Sequence, residues 1–139
     1  MTHPPHTFPE PTYVTGKPRR WLRLDAAVVF VASVAVFHLT HQRWWLYPLL
    51  LFVPDVFMIG YLRNTTLGAL LYNLGHSYLL ASLVLAWGWT GHHHLASAVG
   101  IIWLGHVGFD RLFGYGLKYD SDFTHTHLGS LSKGRPTTR

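Results

Sequence analysis

Residues 105–111, which read GHVGFDR, lie inside a long apolar segment and are the most informative stretch for the fold. His106 and Asp110 are four residues apart, so in an α-helix they lie on the same face. The residues around this pair are apolar enough for a lipid environment, where ionisable side chains are costly and usually mark a functional site. The stretch therefore predicts a membrane helix that carries a polar site.

The composition favours a membrane protein over an ordinary soluble domain. Of the 139 residues, 49% are hydrophobic and only 12% are charged, whereas soluble domains contain about 25% charged residues. The absence of cysteine excludes disulfides, thiolate metal sites and a cysteine nucleophile. The formal net charge is +5, but the basic residues flank apolar blocks and form no nucleic-acid-binding motif. We therefore expect a lipid bilayer as the partner, and no nucleic acid.

Four apolar segments joined by short polar connectors predict an all-α fold, an antiparallel bundle of four transmembrane helices. The predicted helices cover residues 24–40, 44–62, 67–89 and 95–114. Residues 1–20 hold five of the eight prolines and are predicted to be a disordered cytoplasmic tail. Residues 21–130 then form the membrane domain, and residues 131–139 form a flexible C-terminal tail.

The distribution of lysine and arginine supports this topology independently of hydropathy. Ten of the eleven basic residues lie on the side of the two termini, and only Arg43 lies on the other side. Cytoplasmic segments of multi-pass membrane proteins carry such an excess. The sequence therefore predicts a multi-pass protein of a bacterial inner membrane with both termini in the cytoplasm. In the alternative interpretation, the first apolar segment is a cleaved signal peptide, which would place the basic C-terminus outside.

Two other predicted helices carry polar side chains at the depth of the His106 and Asp110 pair. Asp55 lies in the second helix, and Asn73 and His76 lie in the third. At 1.5 Å per residue, Asp55, His76 and His106 each lie roughly 10–13 Å from the cytoplasmic end of their helix. We therefore expect these side chains to meet in one polar pocket near the cytoplasmic side.

The residue types in this layer are those that hold transition metals. Imidazole and carboxylate groups bind zinc, iron and manganese, so Asp55, His76, His106 and Asp110 are the candidate ligands of one divalent metal. A cation would also compensate the charge of two buried carboxylates. Because a bound metal acidifies its water for attack on an ester, amide or phosphate, one hypothesis is a hydrolase site for an amphiphilic substrate.

Four nearby residues are candidates for supporting roles. His127 is a candidate general base or further ligand. Arg111 is a candidate catalytic residue, although contact with a lipid phosphate explains it more simply. Asn73 and Tyr115 are candidates for the polar pocket, and Tyr115 also fits an interfacial anchor.

Two other interpretations of the polar layer stay open. In the first, interhelical hydrogen bonds of about 1 kcal/mol each hold together a non-catalytic scaffold or accessory subunit. Gly105 and Gly108 fit that view as small residues that let helices approach closely. In the second, the polar groups form a proton or ion path, although the outer helix halves are almost entirely apolar. The sequence leaves open whether the chain is an enzyme and whether it has protein partners or forms an oligomer.

Three stretches carry a resemblance to a known family. They are residues 67–78 (LGALLYNLGHSY), residues 103–119 (WLGHVGFDRLFGYGLKY), and Phe123 together with residues 126–129 (THLG). Over about residues 21–130, the chain resembles a bacterial family of small membrane proteins known only as a domain of unknown function. The resemblance implies the four-helix architecture and brings no activity. It singles out these motif positions: Asp55, Asn73, His76, His106, Asp110, Arg111 and His127.

Overall fold

The computed structural model describes residues 13–130, which form a helical bundle followed by a small hairpin. The helices of this part are α1 (Gly16–Leu39), α2 (Leu46–Leu51), a 3-10 helix (Val53–Leu62), α3 (Thr65–Gly75), α4 (Tyr78–Thr90) and α5 (His94–Phe113). The strands β1 (His125–Thr126) and β2 (Gly129–Ser130) pair antiparallel. The predicted all-helical character is confirmed by these helices.

The first helix begins earlier than the sequence predicts. Pro18 is the third residue of α1, where a proline is tolerated because first-turn amides have no partner within the helix. The predicted disordered tail of residues 1–20 is therefore wrong for residues 16–20, which are helical. Residues 1–12 of that tail and the predicted C-terminal tail, residues 131–139, lie outside the described residues.

Two of the predicted helices are broken, and both breaks lie next to predicted site residues. The second consists of α2 and the 3-10 helix, and Pro54 lies at the start of the latter. Proline has no amide proton to continue the α-helical hydrogen bonds. The third consists of α3 and α4, which are bent by 41° at a break after Gly75. Asp55 and His76 therefore lie at helix ends and not within continuous helices.

Helix α5 is the central element and packs mainly against α1 and α4. Gly105 and Gly108 lie in its contact with α1. A Cβ atom on Gly108 would lie 2.8 Å from the Ala26 carbonyl oxygen, and one on Gly105 would overlap Ser33 Oγ. The two glycines therefore allow the close approach of helices that the sequence indicates.

The hydrophobic core lies between α1, α2 and α5. Phe37, Tyr47 and Ile102 are buried there with other apolar residues. The hydroxyl groups of Tyr47 and Ser33 are 2.6 Å apart, so these buried polar atoms satisfy each other.

Arginines of α1 hold the C-terminal end of α5. Arg23 Nε donates a hydrogen bond to the Leu112 carbonyl at 2.7 Å, and the Arg19 guanidinium lies next to Gly114. Gly114 ends the helix with a left-handed φ of 94°, as glycine commonly does. Because helix C-termini carry partial negative charge, the basic start of α1 stabilises the end of α5 and brings the two together.

The outer surface of the helices is strongly apolar. Large side chains such as Val28 on α1, Leu62 on the 3-10 helix and Leu79 on α4 are exposed. Among the helices of residues 13–130, α1 is long and apolar enough to cross a membrane, and α3 with α4 makes a second candidate if the bent pair counts as one span. The four-span topology stays a prediction.

Candidate metal centre

Four ionisable side chains from three parts of the chain meet at one point between the helices. Asp55 comes from the first turn of the 3-10 helix, and His76 comes from the end of α3. His106 and Asp110 come from α5, one turn apart. Each residue offers one ligand atom, and these atoms all lie within 4.8 Å of one another. The structure therefore brings together the four residues that the sequence predicts as metal ligands, which we call the ligand group.

The separations within the ligand group suit a small metal ion. His76 Nε2 lies 3.2 Å from Asp55 Oδ1 and 3.5 Å from Asp110 Oδ2. His106 Nε2 lies 3.7 Å and 3.8 Å from the same two oxygens, and the two Nε2 atoms are 3.0 Å apart. Ligands at about 2.1 Å from a tetrahedral zinc ion would be about 3.4 Å apart. These five values lie on both sides of that figure, and no two ligand atoms are more than 4.8 Å apart, so an ion fits once the side chains close around it.

The end of α3 orients the His76 ring for metal binding. Its Nδ1 lies 2.9 Å from the Tyr72 carbonyl oxygen. A carbonyl only accepts hydrogen bonds, so Nδ1 carries a proton. The ring also stacks on the Tyr72 ring, with the centroids 3.7 Å apart. In a ring with its single proton on Nδ1, Nε2 presents its lone pair to the ligand group, as in a metal-binding histidine.

The His106 ring is also best satisfied by a cation at Nε2. Its Nδ1 is buried and makes no hydrogen bond of normal geometry within residues 13–130, although the Leu51 backbone interacts with this ring. If His106 donated Nε2–H to His76, its Nδ1 would be a buried acceptor without a donor, which is unfavourable. If Nε2 binds a cation instead, Nδ1 carries the proton and can donate to the backbone.

A hydrogen-bond network satisfies the ligand group less well than a metal. Two carboxylates and the His76 Nε2 lone pair only accept hydrogen bonds. A proton on His76 Nε2 can serve Asp55, but His106 Nε2 is 3.7 Å or more from both carboxylate oxygens, beyond hydrogen-bond distance. Within the ligand group, one proton therefore links two of the four atoms, and the Tyr72 hydroxyl donates to Asp110 Oδ2 from outside the group at 3.4 Å, whereas one metal ion contacts all four.

The ligand group is closed on the histidine side and open on the aspartate side. The side chains of His76 and His106 are 3% and 1% exposed, whereas those of Asp110 and Asp55 are 18% and 33% exposed. The aspartate side is therefore the side from which another molecule can reach the ligand group.

Tyr72 and Lys118 adjoin the ligand group, and no sequence pattern indicates either residue. The Tyr72 hydroxyl donates to Asp110 Oδ2 at 3.4 Å. Lys118 Nζ lies 4.3 Å from the centre of the Tyr72 ring and 3.1 Å from that of Phe123, so aromatic rings hold its charge. Burial lowers the pKa of Lys118 to about 8, and the carboxylates of Asp110 and Asp55 oppose this effect. Lys118 thus supplies a positive charge beside two acidic ligands.

Asn73 connects α3 to the C-terminal segment and contributes no ligand. Its Nδ2 donates to the Lys118 carbonyl at 2.8 Å, and its Oδ1 accepts from the Lys118 amide at 2.6 Å. This double hydrogen bond positions the Lys118 backbone. The sequence predicts Asn73 near the polar layer. Its actual contact is with the Lys118 backbone, which helical periodicity does not reveal.

The other candidates lie apart from the ligand group. His127 and Arg111 line a separate pocket, and His127 Nδ1 accepts a hydrogen bond from the Leu117 amide at 2.8 Å. The Tyr115 residue is 46% exposed. The catalytic roles of His127 and Arg111, and the pocket role of Tyr115, therefore stay predictions without a contact that supports them.

The chain belongs to the family described as a domain of unknown function, DUF4260, whose sequence profile matches residues 19–131. The predicted membership of an uncharacterised domain family is confirmed by this match. No curated protein and no solved structure matches the chain. Because the family description names no activity, the function has to be argued from the site.

Proposed function

We propose that this chain is a multi-pass membrane metalloprotein that holds one divalent metal ion and hydrolyses an amphiphilic substrate. The ligands are Asp55, His76, His106 and Asp110. The observation that carries the proposal is the meeting of two imidazole nitrogens and two carboxylate oxygens within 4.8 Å of one another, with each nitrogen 3.0–3.8 Å from the other nitrogen and from both oxygens. Such a set suits zinc, iron or manganese and makes a poor set of ordinary hydrogen bonds.

The surface and the charge distribution support a place in the membrane. Exposed large apolar side chains occur on all the helices, which suits contact with lipid. Arg23 near the start of α1 bonds the Leu112 carbonyl near the end of α5, so the two ends of the domain lie together. Ten of the eleven basic residues lie on the side assigned to the termini, in keeping with two cytoplasmic termini and an even number of spans.

The opening at Asp55 supports a reaction at the metal. A third of the Asp55 side chain is exposed, so a water molecule or a scissile bond can reach the ligand group from that side. A divalent ion held by the ligand group would lower the pKa of a bound water to near 7 and so supply a nucleophile at neutral pH. Asp55 is the more exposed of the two carboxylates, so in the catalytic case it would give up its place on the ion and accept the proton of that water. Lys118, held beside the same carboxylates, adds positive charge that would stabilise a developing oxyanion.

A metal-stabilised scaffold is the second candidate, because the ligand set is complete. Structural zinc sites usually have four protein ligands, whereas catalytic zinc sites have three and keep one position for water. If Asp55 stays bound throughout, no position is free, and the ion only holds α3, α5 and the 3-10 helix together. The two candidates share the metal and differ in activity.

Metal content tests the first part of the proposal. The full chain would be purified in detergent with a tag that lacks histidine, as the wild type, His106→Ala, Asp110→Asn and the control His38→Ala. His38 is exposed on α1. We expect about one metal ion per chain in the wild type and the control, and none in the two ligand variants. Asp110→Asn keeps the side-chain shape, so its loss of metal cannot be ascribed to a cavity. A wild type that stays metal-free after incubation with zinc, iron(II) and manganese(II) would refute the proposal.

Hydrolysis of model amphiphiles tests the second part. Metal-loaded protein in mixed micelles would be assayed on a chromogenic long-chain ester, an anilide and a phosphate ester. Activity that disappears with a chelator, returns with the metal and is absent in Asp110→Asn supports the enzyme. A metal-loaded protein that cleaves none of the three supports the scaffold.

A further inference from the structure

A second polar pocket lies between α1, α4, the end of α5 and the C-terminal hairpin. Its volume is about 170 Å³, which accommodates several non-hydrogen atoms, since one water takes about 30 Å³ of the liquid. The polar residues that line it are Asp25, Tyr78, Arg111 and His127. None of the four residues of the ligand group lines it. The pocket is therefore a separate site, which we call the Arg111 pocket.

Arg111 gives this pocket a preference for anions. Its guanidinium lies over the Tyr78 ring, 4.3 Å from the ring centre, which fixes the plane of the group. Its Nε is buried and makes no hydrogen bond within the part of the chain that the structure describes. A guanidinium binds phosphate or carboxylate through paired N–H groups, and a buried donor without a partner is unfavourable.

His127 adds a neutral donor to the same pocket. Its Nδ1 accepts the Leu117 amide at 2.8 Å, so in the neutral ring Nε2 carries the proton. Burial lowers the pKa of His127, and the charge of Arg111 acts in the same direction. The His127 carbonyl also accepts a hydrogen bond from the Val14 amide at 2.9 Å. The ring is thus held by its own backbone and side-chain bonds.

Asp25 distinguishes the Arg111 pocket from a simple anion site. This exposed residue of α1 lines the pocket, and no ion pair joins it to Arg111 among residues 13–130. A free carboxylate repels a second anion and attracts an ammonium group. Hydrogen-bond donors and a carboxylate in the lining of one pocket together fit a group that carries both a negative and a positive charge.

The position of the pocket favours a lipid head group as the source of that chemistry. It lies where the start of α1 meets the end of α5, next to the Arg23 bond to the Leu112 carbonyl. Exposed apolar side chains such as Leu22 and Trp21 adjoin it along α1. In a membrane-spanning arrangement, this is the boundary at which head groups and aromatic residues lie.

We propose that the Arg111 pocket binds a phosphoethanolamine group, with the phosphate at Arg111 and His127 and the ammonium at Asp25. A phospholipid head group and free phosphoethanolamine both supply this chemistry. Binding here does not require a metal, so the proposal stands or falls independently of the ligand group.

Lipid titration of the full chain, followed by native mass spectrometry in detergent, tests the proposal. The ligands would be phosphatidylethanolamine and phosphatidylglycerol, which is anionic and has no ammonium. The variants would be Arg111→Gln, Asp25→Asn and the control Arg20→Gln, an exposed basic residue of α1 that does not line the pocket.

We expect the wild type and the control to bind phosphatidylethanolamine at least about tenfold more tightly than phosphatidylglycerol. Loss of a charged hydrogen-bond partner in Arg111→Gln would weaken phosphatidylethanolamine at least about tenfold. Asp25→Asn would remove the preference between the two lipids. Because Asp25 is exposed, this variant tests the proposal without a risk to folding. Equal affinity of the wild type for both lipids, or an unchanged preference in Asp25→Asn, would overturn it.

Free phosphoethanolamine distinguishes the two sources. If it displaces the lipid at millimolar concentration, the pocket recognises the head group by itself. If it does not compete while the lipid preference holds, the acyl chains are part of the ligand. Both outcomes agree with the proposed chemistry, whereas displacement of the lipid by inorganic phosphate as readily as by phosphoethanolamine would contradict the role of Asp25.

Discussion

Asp110 and Arg111 are adjacent in the sequence, yet they belong to sites with opposite preferences. Asp110 points to the ligand group, whose free atoms are acceptors. Arg111 lines a different pocket, where its buried Nε is a donor without a hydrogen-bond partner among the described residues. Successive residues of an α-helix are about 100° apart, so one turn of α5 serves both sites. Adjacent charged residues on one helix turn thus belong to different sites, and the neighbouring elements determine which site each one joins.

The two faces of α5 are also held in different ways. On the face of the ligand group, side chains from α3 and the 3-10 helix make the contacts. On the face of the Arg111 pocket, Gly105 and Gly108 bring the backbones of α1 and α5 together. Substitutions on one face should therefore leave the other largely unchanged.

The largest expected effect is on zinc affinity and appears when Asp110→Asn is compared with Arg111→Gln. Loss of a carboxylate ligand should weaken zinc binding by more than about 100-fold, since loss of an outer-shell partner alone costs about 10–100-fold. Arg111→Gln should change zinc affinity by less than about threefold. Competition with a chromophoric chelator measures both. Equal losses in the two variants would show that the faces are not separate.

A smaller effect is expected from Gly108→Ala. The new Cβ atom would lie 2.8 Å from the Ala26 carbonyl oxygen and 2.9 Å from the Phe30 amide nitrogen. Both are backbone atoms, so α1 and α5 must move apart, and we expect a loss of about 1–3 kcal/mol in the free energy of unfolding. Thermal and denaturant unfolding in detergent measure this loss, with Ser82→Ala on the exposed side of α4 as the control.

The zinc affinity of Gly108→Ala shows whether the two faces of α5 act separately. It should stay within about threefold of the wild type, because the ligands come from the opposite face, while lipid binding at the Arg111 pocket weakens. A variant that loses zinc and keeps lipid binding would reverse the assignment of the faces.

The most local effect concerns the C-terminal segment that both sites share. Asn73→Ala removes two hydrogen bonds to the Lys118 backbone, which together contribute on the order of 1–3 kcal/mol. Faster hydrogen exchange around Leu117 and Lys118 is the expected signature. Asn64→Ala is the matched control, since it removes the cap of α3 at a cost of about 1 kcal/mol. Equal exchange around Lys118 in the two variants would contradict the role of Asn73.

The sequence predicts the ligand group well for a physical reason. Ionisable residues are so unfavourable within apolar segments that Asp55, His76 and the pair on α5 stand out without any structural information. Their similar distance from the ends of the predicted helices follows from the helix rise and from the short connectors. The same reasoning identifies Gly105 and Gly108 as contact residues, because small residues within apolar helices usually mark close packing.

The rest depends on contacts that are distant in the sequence. Asn73 and Lys118 are 45 residues apart, and the segment after α5 has no periodic pattern that indicates where it folds. No proline in the sequence indicates the break between α3 and α4. The donors of the Arg111 pocket come from α4, α5 and the hairpin, so no single stretch indicates that Arg111 and His127 lie together.

X-ray absorption of the zinc-loaded wild type shows whether the ligand group binds the ion. If Asp55, His76, His106 and Asp110 hold one ion, the spectrum should show about four nitrogen and oxygen neighbours at about 2.0–2.1 Å. It should also show the outer-shell scattering of two imidazole rings. A shell of water oxygens without imidazole scattering, or less than stoichiometric zinc in folded protein, would contradict it.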